Sequence, residues 1–205
     1  MKNTVITVFC QYGSGGENIA KSLAESLELP FYDRDTLLAA SRTYEKGDGF
    51  RQERASQGRR LCTLVTGTVA DCASGGAVAL SEDDIVVLRL TDAWRQLSVG
   101  QGCVIAVEGF APTTVVGVNE IRIYISSDRE ARVRRITSEE KILPSAALRR
   151  IARRDKRNNR LCLLYAGQRN RAPDGYAICI NSGFLGTDGA VEAILGAIDR
   201  RNKCG

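Results

Sequence analysis

The sequence predicts an α/β fold, a parallel sheet with helices on both faces. Three observations carry this. Val5–Phe9 and Cys103–Val107 are short apolar runs of the kind that form parallel strands covered on both sides. Strand-like and helix-like segments alternate from end to end, as right-handed crossovers require. At 205 residues and 43% hydrophobic, the chain is sized for one domain, residues 1–205, with material for a full core.

The first strand runs into Tyr12-Gly13-Ser14-Gly15-Gly16, and Ile19, Leu23, Ala24 and Leu27 then recur at helical spacing. Glycines there permit a tight turn without a Cβ to hold a ligand away. A helix N-terminus behind such a turn favours an anion, through its unpaired N–H groups and its dipole. The pattern leaves two readings open: a nucleotide-phosphate loop, or the plain strand-to-helix turn of any α/β domain. Against G-x-x-x-x-G-K-[ST], Gly16 as the last glycine puts Gln11 at the first glycine, Glu17 at the lysine and Asn18 at the serine or threonine. A Glu ~4 Å from a phosphate charge repels by roughly 4 kcal/mol at an effective dielectric of about 20.

Pro30 closes the first helical region, and Phe31-Tyr32 is a short second strand. Asp33-Arg34-Asp35 then stands at a strand's carboxyl end, where open α/β sheets place ligands, and a helix begins near Thr36. Residues 42–80 read as a polar, glycine-interrupted insertion, a candidate acceptor-binding subdomain. Glu82–Val99 has a helical distribution of Ile85, Leu88, Leu90, Trp94 and Leu97. Glu108 ends the Cys103–Val107 strand, and Ile121–Ile125 is the next. Ser126-Ser127-Asp128 caps a helix over Arg129–Thr137. Ser138–Leu164 is helical apart from Pro144, Ala177–Asn181 is a last strand, and Gly189–Arg201 a last helix.

Composition excludes several functions. With no histidine, His-based triads and His general bases are absent. The seven cysteines have no C-x-x-C spacing, so no metal site is expected; Cys10, Cys103 and Cys179 read as small hydrophobes in or beside strands. No apolar run approaches ~20 residues, so no membrane span is expected. The N-terminus lacks signal-peptide architecture, which predicts a cytoplasmic protein. A net charge of +5 permits an anionic ligand without requiring one.

The basic residues are concentrated at 149–160, RRIARRDKRNNR. At helical pitch, Arg149, Arg150, Arg153, Arg154, Arg157 and Arg160 fall within an arc of about 140°. One reading is a solvated helix face. Another is an oligophosphate partner, which arginine forks suit. Nucleic acid is disfavoured, because Tyr165 is the sole aromatic nearby for base stacking.

Four segments together resemble the cytidylate-kinase-like family of P-loop nucleoside monophosphate kinases: QYGSGGENIAKSLAESLELPFYDRD at 11–35, GCVIAVEG at 102–109, the Arg-rich segment through Arg157, and YAICINSGFLGTDGAVEAI at 176–194. The first and last are specific as long strings. The resemblance implies a P-loop NTPase-like three-layer sandwich with an Arg-rich helical lid. It also implies ATP and Mg2+ as cofactors, and transfer of the γ-phosphate to CMP or a related nucleotide. Carried over by position, Gly13, Ser14, Gly15 and Gly16 match the phosphate loop, with Asn18 in its serine or threonine place. Asp33 and Arg34 match the start of the monophosphate-binding part, and Glu108 ends the strand beside it. Arg153 and Arg160 resemble catalytic lid arginines, and Asp155 the acid between them. Asn181 matches the residue near the nucleotide base. The chain also departs from the family's usual S-R-Q-[FY]-G-S-G-G-R, with Cys10 and Glu17 at its two arginines, and has Glu108 where the strand usually ends V-G-R. Asn158, Leu161 and Cys162 replace a usual arginine and tyrosine pair. These exchanges imply an alternative, a catalytically impaired or inactive relative that binds a nucleotide or a partner.

Overall fold

The computed structural model describes residues 4–43, 90, 93, 94, 97, 102–109, 119–166 and 175–204. The expectations for the insertion at 42–80, beyond its first two residues, and for most of the helix Glu82–Val99 lie outside the described residues. In chain order the elements are β1 (Thr4–Cys10), α1 (Gly16–Ser26), β2 (Phe31–Tyr32), α2 (Arg34–Thr43), β3 (Cys103–Glu108), β4 (Asn119–Ser126), α3 (Arg129–Glu140), α4 (Pro144–Ala166), β5 (Ile178–Asn181) and α5 (Ser182–Cys204). The five strands form one sheet in the order β2-β3-β1-β4-β5, and every pairing is parallel.

β1 is the axis of the sheet. It is buried along its whole length, and its residues alternate between two cores. Ile6, Val8 and Cys10 join Val104, Ala106, Ile121, Ile123 and Ile125. That face is covered by Ile19, Ala20 and Leu23 of α1 and by Ala190, Ile194 and Ile198 of α5. Val5 and Phe9 point the other way, to Cys103, Ile105, Val107 and Tyr124, beneath Leu37 of α2 and the helical residues Ala93 and Trp94. The period of two along an apolar strand thus makes the three layers. A satellite core of Ile136, Ala147 and Ile151, with Tyr12 packed against it, joins α3 and α4 over the end of β1.

Two helix boundaries differ from the sequence expectation. The helical pattern across residues 138–164 breaks at Lys141, which takes a left-handed conformation (φ 53°) and closes α3; α4 then starts at Pro144. Proline suits a first helical position, where its missing N–H costs nothing. The stretch Ser182–Cys204 is two helical pieces broken at the non-helical Gly186 (φ 71°, ψ 179°), so a short helical turn directly after β5 precedes the helix expected over Gly189–Arg201. Cys179 is exposed, so it does not serve as a core residue, whereas Cys10 and Cys103 are buried. No helix among the described residues is long and apolar enough to cross a membrane.

Candidate functional site

The turn between β1 and α1 sits at the carboxyl edge of the sheet and is shaped by its own glycines and by donors from distant elements. Gly13 and Gly15 have φ of 77° and 73°, a region that disfavours side chains. Gly16 is required for another reason: a Cβ there would stand 2.5 Å from the Cys10 sulfur. Ser14 is fully buried beneath the turn. Its N–H donates to the Gln11 carbonyl (2.9 Å), and its Oγ accepts from the Gly16 N–H (3.3 Å).

Three of the turn's carbonyls are taken from outside. Arg132 Nε donates to Tyr12 O (2.6 Å), Arg135 Nη1 to Gly13 O (3.1 Å) and Ser182 Oγ to Ser14 O (2.6 Å). These carbonyls are thereby engaged, and α1 opens at the turn with first-turn N–H groups that have no partner within the helix. The Arg135 guanidinium also lies against Gly15, 2.6 Å from where a Cβ would be. Two arginines of α3 therefore place positive charge at a turn whose following helix carries Glu17.

Arg132 is 3% exposed. Its other two nitrogens donate to both carboxylate oxygens of Asp155, at 2.9 and 2.7 Å. One guanidinium thus ties the glycine turn, α3 and α4 together. α4 is fastened again at the end of β3: Asn158 Nδ2 donates to Glu108 Oε1 (3.1 Å), Arg154 lies 3.7 Å from the same oxygen, and the Cys162 thiol donates to Gly109 O. Arg154 also stacks 5.2 Å above the Tyr12 ring, whose hydroxyl donates to Glu140; Arg150 pairs with Glu140 as well. The Arg-rich helix thereby lies across the turn.

Two cavities flank the turn. The first, about 480 Å3, is lined by Gly13, Gly15, Gly16, Glu17, Asn18, Arg34, Asp35, Glu108, Arg135 and Arg154, among others. Burial, reinforced by Asp33, Asp35, Glu108 and Glu139, pushes the Glu17 carboxyl up from its ordinary range. The second, about 530 Å3, has an apolar wall from Leu148, Ile151 and Ala152 of α4, and polar groups from Gln11, Ser127, Asp128, Arg132, Asp155 and Asn181. Ser127 is 8% exposed and its hydroxyl has no hydrogen-bond partner among the described residues. Asn181 donates to Asp128 Oδ1 (3.2 Å) and accepts from the Gly183 N–H (2.9 Å).

The residues singled out from the sequence are divided by this geometry. Gly13, Gly15, Gly16, Asn18, Arg34 and Glu108 meet around the first cavity, and Asp155 and Asn181 border the second. Ser14 is a buried peg under the turn. Asp33 caps α2: its carboxylate accepts from the Thr36 N–H, its own N–H donates to Thr36 Oγ1, and the first bond holds its carboxyl below the usual range. Arg153 and Arg160 are exposed on α4 and line neither cavity. Sequence reasoning missed Arg132 and Arg135. Their signal was the spacing of three that puts Arg129, Arg132 and Arg135 on one helix face directly after a buried strand.

A sheet of this order with a glycine turn after its central strand and an arginine-rich helix over that turn defines a P-loop kinase-like protein. The cytidylate kinase-like family matches residues 5–183, and the chain belongs to that family. A cytidylate kinase from Thermococcus kodakarensis is 26% identical over 111 residues, 54% of this chain and 58% of that relative's length. Among solved structures, an uncharacterized protein from Eubacterium ventriosum superposes with a TM-score of 0.71 at 19% identity, covering 97% of this chain and 99% of that one. A shikimate kinase from Bacteroides thetaiotaomicron gives 0.55 at 13% identity, covering 96% and 98%. A gluconokinase from Sinorhizobium meliloti gives 0.51 at 12%, covering 99% and 98%. At these identities the solved structures share the fold with this chain.

Proposed function

We propose that the protein binds a nucleoside triphosphate on the glycine turn and transfers its γ-phosphoryl group to a small acceptor held in the cavity beside Glu108. The observation that carries this is the turn itself: the carbonyls of Tyr12, Gly13 and Ser14 are taken by Arg132, Arg135 and Ser182, and α1 opens behind it with first-turn N–H groups that suit phosphate oxygens. In phosphoryl transfer the protein mainly positions groups and neutralises charge. Arg135, at the turn, is placed to do the second. The cavity with the apolar α4 wall and the unpartnered Ser127 hydroxyl is suited to the donor's heterocycle.

ATP and Mg2+ are the cofactors that family membership suggests. Mg2+ needs only one or two protein oxygens besides phosphates and waters. Asn18, Glu17 and Glu108 offer such oxygens on one cavity and would hold it there. Bound Mg2+ would supply charge neutralisation between the phosphates. Arg153, Arg160 and Asp155 of α4, and Asp33 and Arg34 at the start of α2, remain our assignments for the lid and the acceptor side, with Asp155 acting through Arg132.

For the acceptor, CMP or a related nucleotide is the family reading. A catalytically impaired relative that binds a nucleotide or a partner is the second reading, favoured by Glu17 at the mouth of the turn. The deciding experiment is a thermal-shift series against ATP, ADP and the four monophosphates, with and without Mg2+. Nucleotide binding raises the melting temperature as ligand is added. No shift with any nucleotide would defeat the donor assignment, and a shift without phosphoryl transfer would establish the second reading.

A further inference from the structure

We propose that the outer face of α4 is a docking surface for a nucleic-acid duplex, held through its phosphates and without regard to sequence. This goes beyond the donor reading and does not rest on it. The chain's positive charge is concentrated on α3 and α4. Residues 128–166 hold twelve of its 29 basic residues and five of its 24 acidic ones, an excess larger than the net charge of +5 of the whole chain. α4 sorts that charge by direction. Ala147, Ile151, Asn158, Leu161 and Cys162 are buried on its inner side. Arg150, Arg154 and Asp155 are paired with Glu140, Glu108 and Arg132. Arg149, Arg153, Lys156 and Arg160 are exposed. Their spacings of four, three and four put them within an arc of about 60°, on the side of the helix opposite Ile151 and Asn158, in a line roughly 16 Å long. None of the four lines either cavity or pairs with an acid among the described residues.

Four like charges about 5–6 Å apart repel one another. A convex helix face gives a small anion one or two contacts, which salt screens. A long polyanion meets all four at once: over ~16 Å of its axis, one strand of a duplex presents roughly five phosphates. Arginine forks and a lysine ammonium both suit phosphate oxygens. The exposed residues flanking the stripe are Ser145, Ala152 and Asn159. The stripe thus has no large apolar side chain to enter a bilayer or to anchor a protein interface. The shortage of aromatics near α4 counts against a single strand, whose bases need stacking partners. In a duplex the bases already stack on one another.

The test is fluorescence anisotropy of the full chain against a labelled duplex of about 20 base pairs and mixed sequence, one arm DNA and one RNA, between about 50 and 200 mM KCl. Four phosphate contacts predict a slope of log affinity on log salt of about −3.6 for DNA, a weakening of roughly 150-fold across that range. Arg149→Gln with Lys156→Gln, at two exposed positions outside the lid assignment, is expected to reduce the slope by about two and to weaken binding at least tenfold at the lower salt. Arg200→Gln with Lys203→Gln removes the same charge from the exposed end of α5 and is expected to leave affinity within twofold. Tighter binding to either duplex than to the single strand of the same sequence supports the proposal, and the two arms tell DNA from RNA. The proposal is overturned if neither duplex binds at the lower salt, if the α4 and α5 variants weaken binding equally, or if the single strand binds tighter than both duplexes. Binding to phosphatidylserine vesicles without binding to a duplex overturns it in favour of a membrane surface.

Discussion

Replacing Asp155 by alanine strands Arg132. The Arg132 side chain is 4% exposed and Asp155 22%, and two hydrogen bonds of 2.9 and 2.7 Å join them. Without the carboxylate, Arg132 keeps its bond to Tyr12 O and is left as a buried charge. Breaking a buried pair from one side costs about 3–5 kcal/mol. Asp155 borders an open cavity, so water reaches the exposed side of the gap, and about 2–4 kcal/mol is the better expectation. For a chain of this size that is a fall in melting temperature of roughly 5–15 °C. Urea unfolding should show a lower midpoint with an unchanged slope, since the surface exposed on unfolding is the same. Arg153→Ala, exposed on the same helix, should stay within about 0.5 kcal/mol. A double replacement, Arg132→Met with Asp155→Leu, should be milder than the Asp155 change alone, because no buried charge remains. If Asp155→Ala costs less than about 1 kcal/mol, Arg132 does not depend on it and the tie between turn and α4 is not as described.

Gly16→Ala forces a methyl group to within 2.5 Å of the Cys10 sulfur and should destabilise by about 1–3 kcal/mol in urea titration, with part of the loss recovered by adding Cys10→Ala. Arg135→Met should weaken ATP binding in calorimetry by tenfold or more while leaving stability nearly unchanged, since its bond is to a turn carbonyl and not to a buried acid. Glu17 has a raised folded pKa, so its ionisation opposes folding; Glu17→Gln should stabilise the protein at neutral pH, and the gain should vanish in unfolding measured below the ordinary carboxylate range. Asp33 behaves oppositely: its contribution is present above the ordinary carboxylate range and is lost as pH falls through its lowered folded value, so Asp33→Asn should cost stability at pH 7 and much less near pH 2.

What was legible beforehand divides along physical lines. β1, β3 and β4 follow from apolar runs, because a strand buried on both faces needs such a run wherever it sits in the sheet. The glycine turn was legible for the same local reason: φ near +75° requires glycine. The partners of the turn were not. Arg132 reads as one more charge in the polar string Arg129–Arg135, and only tertiary contact shows it to be buried. On α4 the basic face was visible but its rotation was not. Six arginines share an arc of about 140°, and packing turned Arg154, Asn158 and Cys162, four residues apart, toward β3, leaving Arg153 and Arg160 in solvent. Asn158 stands out in the sequence as a departure from a family pattern, but its bond to Glu108 cannot be read from spacing.

The hydrogen bond from Ser182 to the Ser14 carbonyl spans 168 positions of chain. During synthesis the turn emerges long before this last partner. At about 5–20 residues per second the interval is roughly 8–34 s. The neighbours of β1 in the sheet also come late, since β3 begins at Cys103 and β4 at Asn119. The nascent chain therefore carries this glycine-rich segment next to an unpaired apolar strand until β3 and β4 have been made. Nucleotide can assist folding only after residue 182 has docked, and a chain stalled before that point lacks the finished turn.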